Sequence, residues 1–369
     1  MLLKIRTFIK KEAVLCISAL CALLTMVAVP PDAEYTGYID FRVLCLLFCL
    51  MAVVEGFKSV GAFRWLTCKL LNKVHNGRIL GLCLVMLPFF SSMLVTNDVA
   101  LIVFVPFTVA LLSQLGFTKS VVPIIVLQTV AANLGSMATP VGNPQNLFLY
   151  STFNLTIGEF FSVTLPLTAF CFVLLSVSSL PVLPSALPEN ELKDEKISSP
   201  KSLVIYALVF ILCLLTVFRV VPYVLSTAVV ILTFLFADKK LLKEVDFMLL
   251  LTFVCFFIIS ENLGRIDAVR EFLSSLLEKS TLFTSVGASQ VISNVPAAVL
   301  LSGFTDDWRS LLSGVNIGGL GTPVASLASL ITLKLYLKTE KAKIGKFLAV
   351  FTLFNAAGLL LLLGFEIII

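Results

Sequence analysis

Apolar residues come in long runs, at about 13–31, 40–57, 79–95, 99–115, 120–150, 157–182, 203–218, 222–237, 246–262, 281–304, 310–337 and 345–369. Many approach the ~20 residues that a helix needs to cross a bilayer core about 30 Å thick. One polar stretch, 183–202, carries Pro184, Pro188 and Pro200 among mixed charges. It divides the chain into a first half, 1–182, and a second half, 203–369. Two short stretches, 59–73 and 265–279, mix apolar and charged positions. In the first, Val60, Phe63, Leu66 and Leu70 share a helical face that leaves Arg64 and Lys69 off it, as in helices lying in the membrane interface. The first apolar run follows Lys4, Arg6, Lys10 and Lys11. It exceeds the roughly 7–15 residue core of a signal peptide, which favours a retained first helix over a cleaved leader.

Composition agrees with the pattern. Of 369 residues, 59% are hydrophobic and 13% charged, against roughly 25% charged in soluble domains. The fold class expected is an all-α polytopic membrane protein of the inner or plasma membrane, its partner the lipid bilayer. The net charge of +5 does not point to nucleic acid, because no dense basic patch with interleaved aromatics stands outside the apolar runs. The Lys and Arg residues collect in particular loops instead, which is a topology signal. The nine cysteines show no Cys-x-x-Cys spacing and read as small hydrophobes. The single histidine, His75, sits in a basic loop, so a histidine metal site is not expected.

The two halves resemble each other. Asp40-Phe41 recurs as Asp246-Phe247, Glu55 as Glu261, Arg64 as Arg270 and Lys73 as Lys279. Thr96-Asn97-Asp98 corresponds to Ser293-Asn294-Val295. Asn133, Gly135, Thr139 and Pro140 recur in the same order as Asn316, Gly318, Thr322 and Pro323. Such ordered landmarks argue for an internal repeat. An odd number of crossings between Asp40 and Asp246 turns the second copy upside down, a construction common in secondary transporters. The expected architecture is therefore two inverted repeats, each with a re-entrant hairpin and a broken transmembrane helix. In the run 281–304, Pro296 interrupts helix hydrogen bonding and leaves arms too short to cross alone. Hairpins also keep Lys334, Lys338, Lys341, Lys343 and Lys346 on the cytoplasmic side, as the positive-inside rule requires. The N-terminus is then cytoplasmic and the C-terminus extracytoplasmic.

Irregular backbone at membrane depth must be buried in protein or line a wet cavity. Four such places are expected: tips at 96–98 and 293–296, and breaks at about 133–146 and 316–326. Exposed amides at helix N-termini attract anions, and free carbonyls at C-termini attract cations. Asp98 is the only ionisable side chain between Arg78 and Lys119. An intramembrane acid is a functional candidate, able to ligate sodium or carry a proton; Thr96, Asn97 and Asp98 are equally good helix caps. Glu55 and Glu261 sit at segment ends as interfacial charges, and Trp65 and Trp308 suit interface anchors. An intramembrane protease would need a catalytic pair at depth; a lone acid and a loop histidine do not supply one, so no enzyme is expected. A channel is a further alternative.

These motifs resemble the ion transporter superfamily that contains divalent anion:sodium symporters, citrate transporters, arsenite efflux permeases and sodium/proton antiporters. The resemblance covers about residues 10–369 and rests on the paired tips and the paired Asn-x-Gly…Thr-Pro breaks. It implies that tips and breaks hold a small anionic solute and its coupling ions. On that basis Thr96, Asn97, Thr139, Pro140, Asn143, Ser293, Asn294, Thr322 and Pro323 are assigned to the solute. Asp98, Asn133, Gly135, Asn316 and Gly318 are assigned to the coupling ion, with sodium the one metal implied and no other cofactor. The resemblance also implies a homodimer whose transport domain moves against a scaffold. Symporters of the superfamily carry Ser-Asn-Thr at both tips. Here Asp98 and Val295 depart from that pattern, and the Asn-Asp pair is more similar to the arsenite-permease branch.

Overall fold

The computed structural model describes residues 12–71, 74–187, 196–339 and 342–369. Lys4, Arg6, Lys10, Lys11, Lys73, Pro188 and Lys341, named above for the charge pattern, the repeat and the linker, lie outside them.

Among the described residues every regular element is helical. After α1 (Ala13–Ala28) and a 3-10 turn (Ala33–Gly37) comes a first series: α2 (Phe41–Ser59), α3 (Ala62–Leu71), α4 (Gly77–Ser91), α5 (Asn97–Gln114), α6 (Val121–Ser136), α7 (Pro144–Thr152) and α8 (Ile157–Ser179). Helices α9 (Pro200–Val217), α10 (Tyr223–Asp238) and α11 (Leu241–Glu244) lead to a second series. It comprises α12 (Phe247–Gly264), α13 (Asp267–Lys279), α14 (Thr281–Ile292), α15 (Asn294–Leu301), α16 (Trp308–Ile317), α17 (Leu327–Leu337) and α18 (Ile344–Ile368).

The same local chemistry starts the matching helices. Asp40 accepts from Val43 N–H at 3.0 Å to open α2, and Asp246 accepts from Leu249 N–H at 2.9 Å to open α12. Packing repeats too. Helix α4 lies on α6 as α14 lies on α16. The copies also exchange partners: α7 packs on α15, and α17 packs on α5. This reciprocity extends the sequence repeat into three dimensions.

The arms of the two hairpins differ in length. Helices α14 and α15 have 12 and 8 residues, about 18 and 12 Å at 1.5 Å per residue, too short to cross. Helix α5 has 18 residues and carries Pro106, and α4 has 15 and carries Pro88. The first hairpin is therefore longer-armed than its counterpart.

Two hydrophobic clusters fill the interior. One gathers around α4, α5, α6, α8, α17 and α18, with Leu84, Phe89, Phe104, Ile124, Phe347 and Phe351 at its centre. The other gathers around α2, α7, α9, α10, α12, α15 and α16, with Val43, Phe148, Tyr206, Phe234, Phe253 and Leu311. Each draws side chains from both halves of the sequence. Cys171 is buried in the first, Cys49 and Cys213 in the second.

Polarity is distributed as lipid demands rather than as water does. Val27 is 80% and Phe236 88% exposed on the outer helices, whereas Gln128, Thr129 and Asn133 are buried inside α6. Gln128 donates from Nε2 to Leu84 O and Thr108 Oγ1, both at 2.8 Å, tying α6 to both arms of its hairpin. Among the described residues, six helical segments are long and apolar enough to cross a bilayer. The chain is an all-helical polytopic membrane protein.

Candidate functional site

Helix α6 stops at Ser136 and α7 begins at Pro144; α16 stops at Ile317 and α17 begins at Leu327. The intervening strings are short of good helix formers and rich in Gly, Pro, Ser and Thr. The first break is almost fully enclosed, whereas the second opens at Thr322 and Val324, which are exposed. Residues 133–138 and 140–150 are buried, as are 311–320.

Each hairpin tip docks on the break of its own series by the same bond. Asn97 N–H donates to Gly142 O at 3.3 Å, and Asn294 N–H donates to Ala325 O at 2.9 Å. Gly142 and Ala325 are the residues just before the helix-opening Asn143 and Ser326. A second paired bond holds the tips. Thr139 Oγ1 donates to Met93 O, and Thr322 Oγ1 donates to Gln290 O at 3.0 Å, each to the carbonyl four residues ahead of the tip asparagine. The two threonines thus have hairpin backbone as partners. Pro140 follows Thr139 and is buried; Pro323 follows Thr322 and is half-buried.

The breaks are joined to each other across the copies. Asn133 Oδ1 accepts from Ser326 Oγ at 3.0 Å, and Asn316 Oδ1 accepts from Asn143 Nδ2 at 3.2 Å. In both cases the residue that opens the second half-helix of one series bonds the asparagine that ends the first half-helix of the other. Asn97 Nδ2 donates to Asn133 Oδ1 at 2.9 Å. Asn143 Nδ2 also donates to Ser136 Oγ, 3.1 Å, and Ser136 Oγ donates to Asn133 O, 2.8 Å. Asn316 Nδ2 donates to Asn146 Oδ1 at 2.7 Å. One continuous network therefore runs Asn97–Asn133–Ser136–Asn143–Asn316–Asn146, with Ser326 as a branch.

The remaining candidates stand around it. Thr96 precedes α5 and makes no side-chain cap bond. The Asn97 Oδ1 accepts from the adjacent Asp98 N–H at 3.0 Å. Asp98 lies in the first turn with Oδ1 buried and without a hydrogen-bond partner. Ser293 has φ of 75°, a left-handed conformation unusual outside glycine, and its Oγ donates to Ala325 O at 3.3 Å. Gly135 and Gly318 are close-approach positions. A Cβ on Gly135 would lie 2.1 Å from Phe89 O, and one on Gly318 2.7 Å from the Ser289 side chain. They let α4 and α14 nestle against the two breaks.

Sequence reasoning missed Ser136, Asn146, Ser326 and Gln290. A signal for Ser326 existed, since it precedes α17 as Asn143 precedes α7. Gln290 braces the second break by donating from Nε2 to Gly318 O, 2.8 Å, and Leu320 O, 2.9 Å.

Charge is sparse here. Among the described residues, no Lys or Arg enters the network, and Asp98 is the one acid beside a tip. Four helix N-termini, those of α5, α7, α15 and α17, begin at its edge. Their combined dipoles favour negative charge or oxygen lone pairs. Two cavities flank the hairpins. One of ≈ 830 Å³ is lined by Lys58, Arg64, Ile102, Pro106 and Lys196; the other of ≈ 420 Å³ by Asp40, Glu261, Val299 and Gly303. Glu55 is paired with Lys58 at 2.7 Å. At the other predicted interface positions, Lys69 lies over the Trp65 ring and Arg309 over the Trp308 ring, 4.7 and 4.6 Å from the centroids.

A sequence model of citrate transporters matches residues 2–305. An uncharacterized transporter of Methanocaldococcus jannaschii is 32% identical over 350 residues, covering 94% of both chains. The inner membrane protein YbiR of Escherichia coli is 29% identical over 307 residues, 82% of each chain. The silicon efflux transporter LSI3 of Oryza sativa is 33% identical over 135 residues, 37% of this chain and 27% of its own length. Fold, paired breaks and these similarities lead to one conclusion: the chain belongs to the citrate transporter family and is a membrane transporter.

Proposed function

We propose that the chain is a secondary active transporter that carries a small anion, a carboxylate or an inorganic oxyanion, across the cell membrane in exchange with or alongside sodium or protons. The observation that carries this reading is the cross-copy asparagine network, buried, neutral and edged by four helix N-termini. Amide donors and helix dipoles can hold an oxyanion without a cationic side chain.

The reciprocal packing supports two inverted copies meeting at the membrane midplane. We read the two hairpins and their breaks as one transport body that shifts against the remaining helices within a homodimer and so exposes the network alternately. Asp98 is the natural carrier of the coupling ion, because its buried Oδ1 lacks a protein donor.

A second reading, a sodium/proton antiporter or an arsenite-type metalloid efflux permease, is favoured by two observations. The network has no Lys or Arg, so a neutral hydroxylated solute would also be held, and the similarity to a silicon efflux transporter runs over 135 residues.

Flux into proteoliposomes separates the readings. The anion reading expects uptake of a labelled carboxylate or oxyanion that follows an imposed sodium or proton gradient. Uptake indifferent to both gradients sinks the coupled mechanism; arsenite flux without anion flux selects the alternative. Asn97→Ala and Asn294→Ala should each abolish stabilisation of the purified protein by the transported anion. Full retention of that response in both variants removes the tips from the site.

A further inference from the structure

Asn133 and Asn316 occupy equivalent positions, yet their hydrogen bonds are opposite in sense. Asn133 Oδ1 accepts from Asn97 Nδ2 at 2.9 Å and Ser326 Oγ at 3.0 Å, which uses both lone pairs. Its Nδ2 has no partner, although the residue is only 5% exposed. Asn316 is the reverse. Its Nδ2 donates to Asn146 Oδ1 at 2.7 Å and Leu312 O at 2.9 Å, which uses both N–H groups. Its Oδ1 accepts one bond, from Asn143 at 3.2 Å, and keeps a lone pair.

The adjoining helix starts differ in the same way. Asn143 closes α7, its Oδ1 accepting from Asn146 N–H at 2.9 Å. Ser326 gives its hydroxyl to Asn133 and accepts no cap bond, so the 11-residue α17 begins without a side-chain cap. The first-turn amides of α17, Leu327 to Ser329, follow Ser326, the residue bonded to Asn133, whose Nδ2 is itself short of an acceptor.

We infer that the two copies have divided the work. The junction of Asn133 with the start of α17 is a donor-only subsite for an oxygen of the solute, carboxylate or oxyanion. Asn316 Oδ1 offers its remaining lone pair to the coupling cation. This rests on the anion-transporter reading, and it moves Asn133 from the coupling-ion set to the solute set. A solute oxygen at this junction would accept from Asn133 Nδ2 and from amides at the positive end of α17. A cation there would meet only donors.

The test uses the full chain in detergent and reads thermal stabilisation by citrate, sulfate and phosphate, in sodium chloride against choline chloride. Asn133→Asp keeps the acceptor for Asn97 and Ser326 but turns the donor into an oxygen. Ser326→Asn copies the Asn143 arrangement and caps α17, which strengthens the helix rather than weakening it. Both variants should bind the anion about 10–100-fold more weakly, as expected for loss of a hydrogen bond to a charged group, while keeping the sodium response. Asn316→Ala should do the opposite. Wild-type anion binding in Asn133→Asp or in Ser326→Asn overturns the assignment while leaving the transporter reading intact. So does an Asn316→Ala protein that loses the anion and keeps sodium. A wild-type protein that responds to none of the three anions overturns both.

Discussion

Adding one methyl group at Gly135 should uncouple the first hairpin from the first break. A Cβ there would sit 2.1 Å from Phe89 O, 2.8 Å from Phe89 C and 2.9 Å from Phe89 Cα. All three are backbone atoms of α4, so no rotamer change relieves them. Non-bonded carbon contacts settle at about 3.5–4 Å, so α4 must withdraw by at least about 1 Å. The tip bonds at Asn97, 2.9 Å to Asn133 and 3.3 Å to Gly142, cannot follow a displacement of that size. Two lost bonds at about 1 kcal/mol each, with about 1–3 kcal/mol for overpacking, give a destabilisation of about 3–5 kcal/mol. Chemical or thermal unfolding of purified Gly135→Ala in detergent measures it. Gly287→Ala is the control: a Cβ at that helical position meets nothing within 4 Å, and the change should be neutral or stabilising by about 0.5–1 kcal/mol. Equal stabilities for Gly135→Ala and wild type would refute the docking role given to this glycine.

Other outcomes follow from features away from the network. Arg219 holds Tyr150 O at 3.1 Å and Asn154 O and Leu155 O at 3.2 Å, clamping the end of α7. Arg219→Lys should cost about 2–3 kcal/mol in unfolding measurements, because an ammonium cannot span three carbonyls with the guanidinium's fixed fork; a lysine variant as stable as wild type disproves the clamp. The hydrogen bond from Arg265, 2.6 Å, chiefly holds the Asp32 carboxyl below its ordinary value. A carboxyl depressed in the folded state contributes stability above the ordinary carboxylate range and loses it as pH falls through the lowered value. Asp32→Asn should therefore match wild type in acid and fall below it near neutrality; parallel melting curves from about pH 3 to pH 7 would remove the Asp32–Arg265 pair from the account.

Much of this architecture is legible in the sequence because it is local. Asp40 and Asp246 announce helix starts through cap chemistry. The tips at 96–98 and 293–296 and the breaks are marked by residues that helices reject. The order of these landmarks survives between the copies, so equivalence follows by inspection. What is not legible is the pairing between copies. Repetition shows that Asn133 matches Asn316, but not that Asn133 bonds Ser326 and Asn316 bonds Asn143. Those contacts bridge residues far apart in the chain and depend on how the copies interlock. The partners of the Thr139 and Thr322 hydroxyls are illegible for the same reason: they are backbone carbonyls, which leave no trace in residue identity. Arg219 was likewise invisible, since its three acceptors are main-chain oxygens.

The threonine bonds have a mechanical consequence. Thr139 grips the carbonyl of Met93, and Thr322 that of Gln290, in each case one helical turn ahead of a tip asparagine. Tip and break are thereby pinned at two points within each series, leaving no hinge between them. In the transport cycle proposed above, each tip and its break move as a single stiff cassette. The seam that such a cycle opens and closes then lies outside the cassettes, against the helices around them.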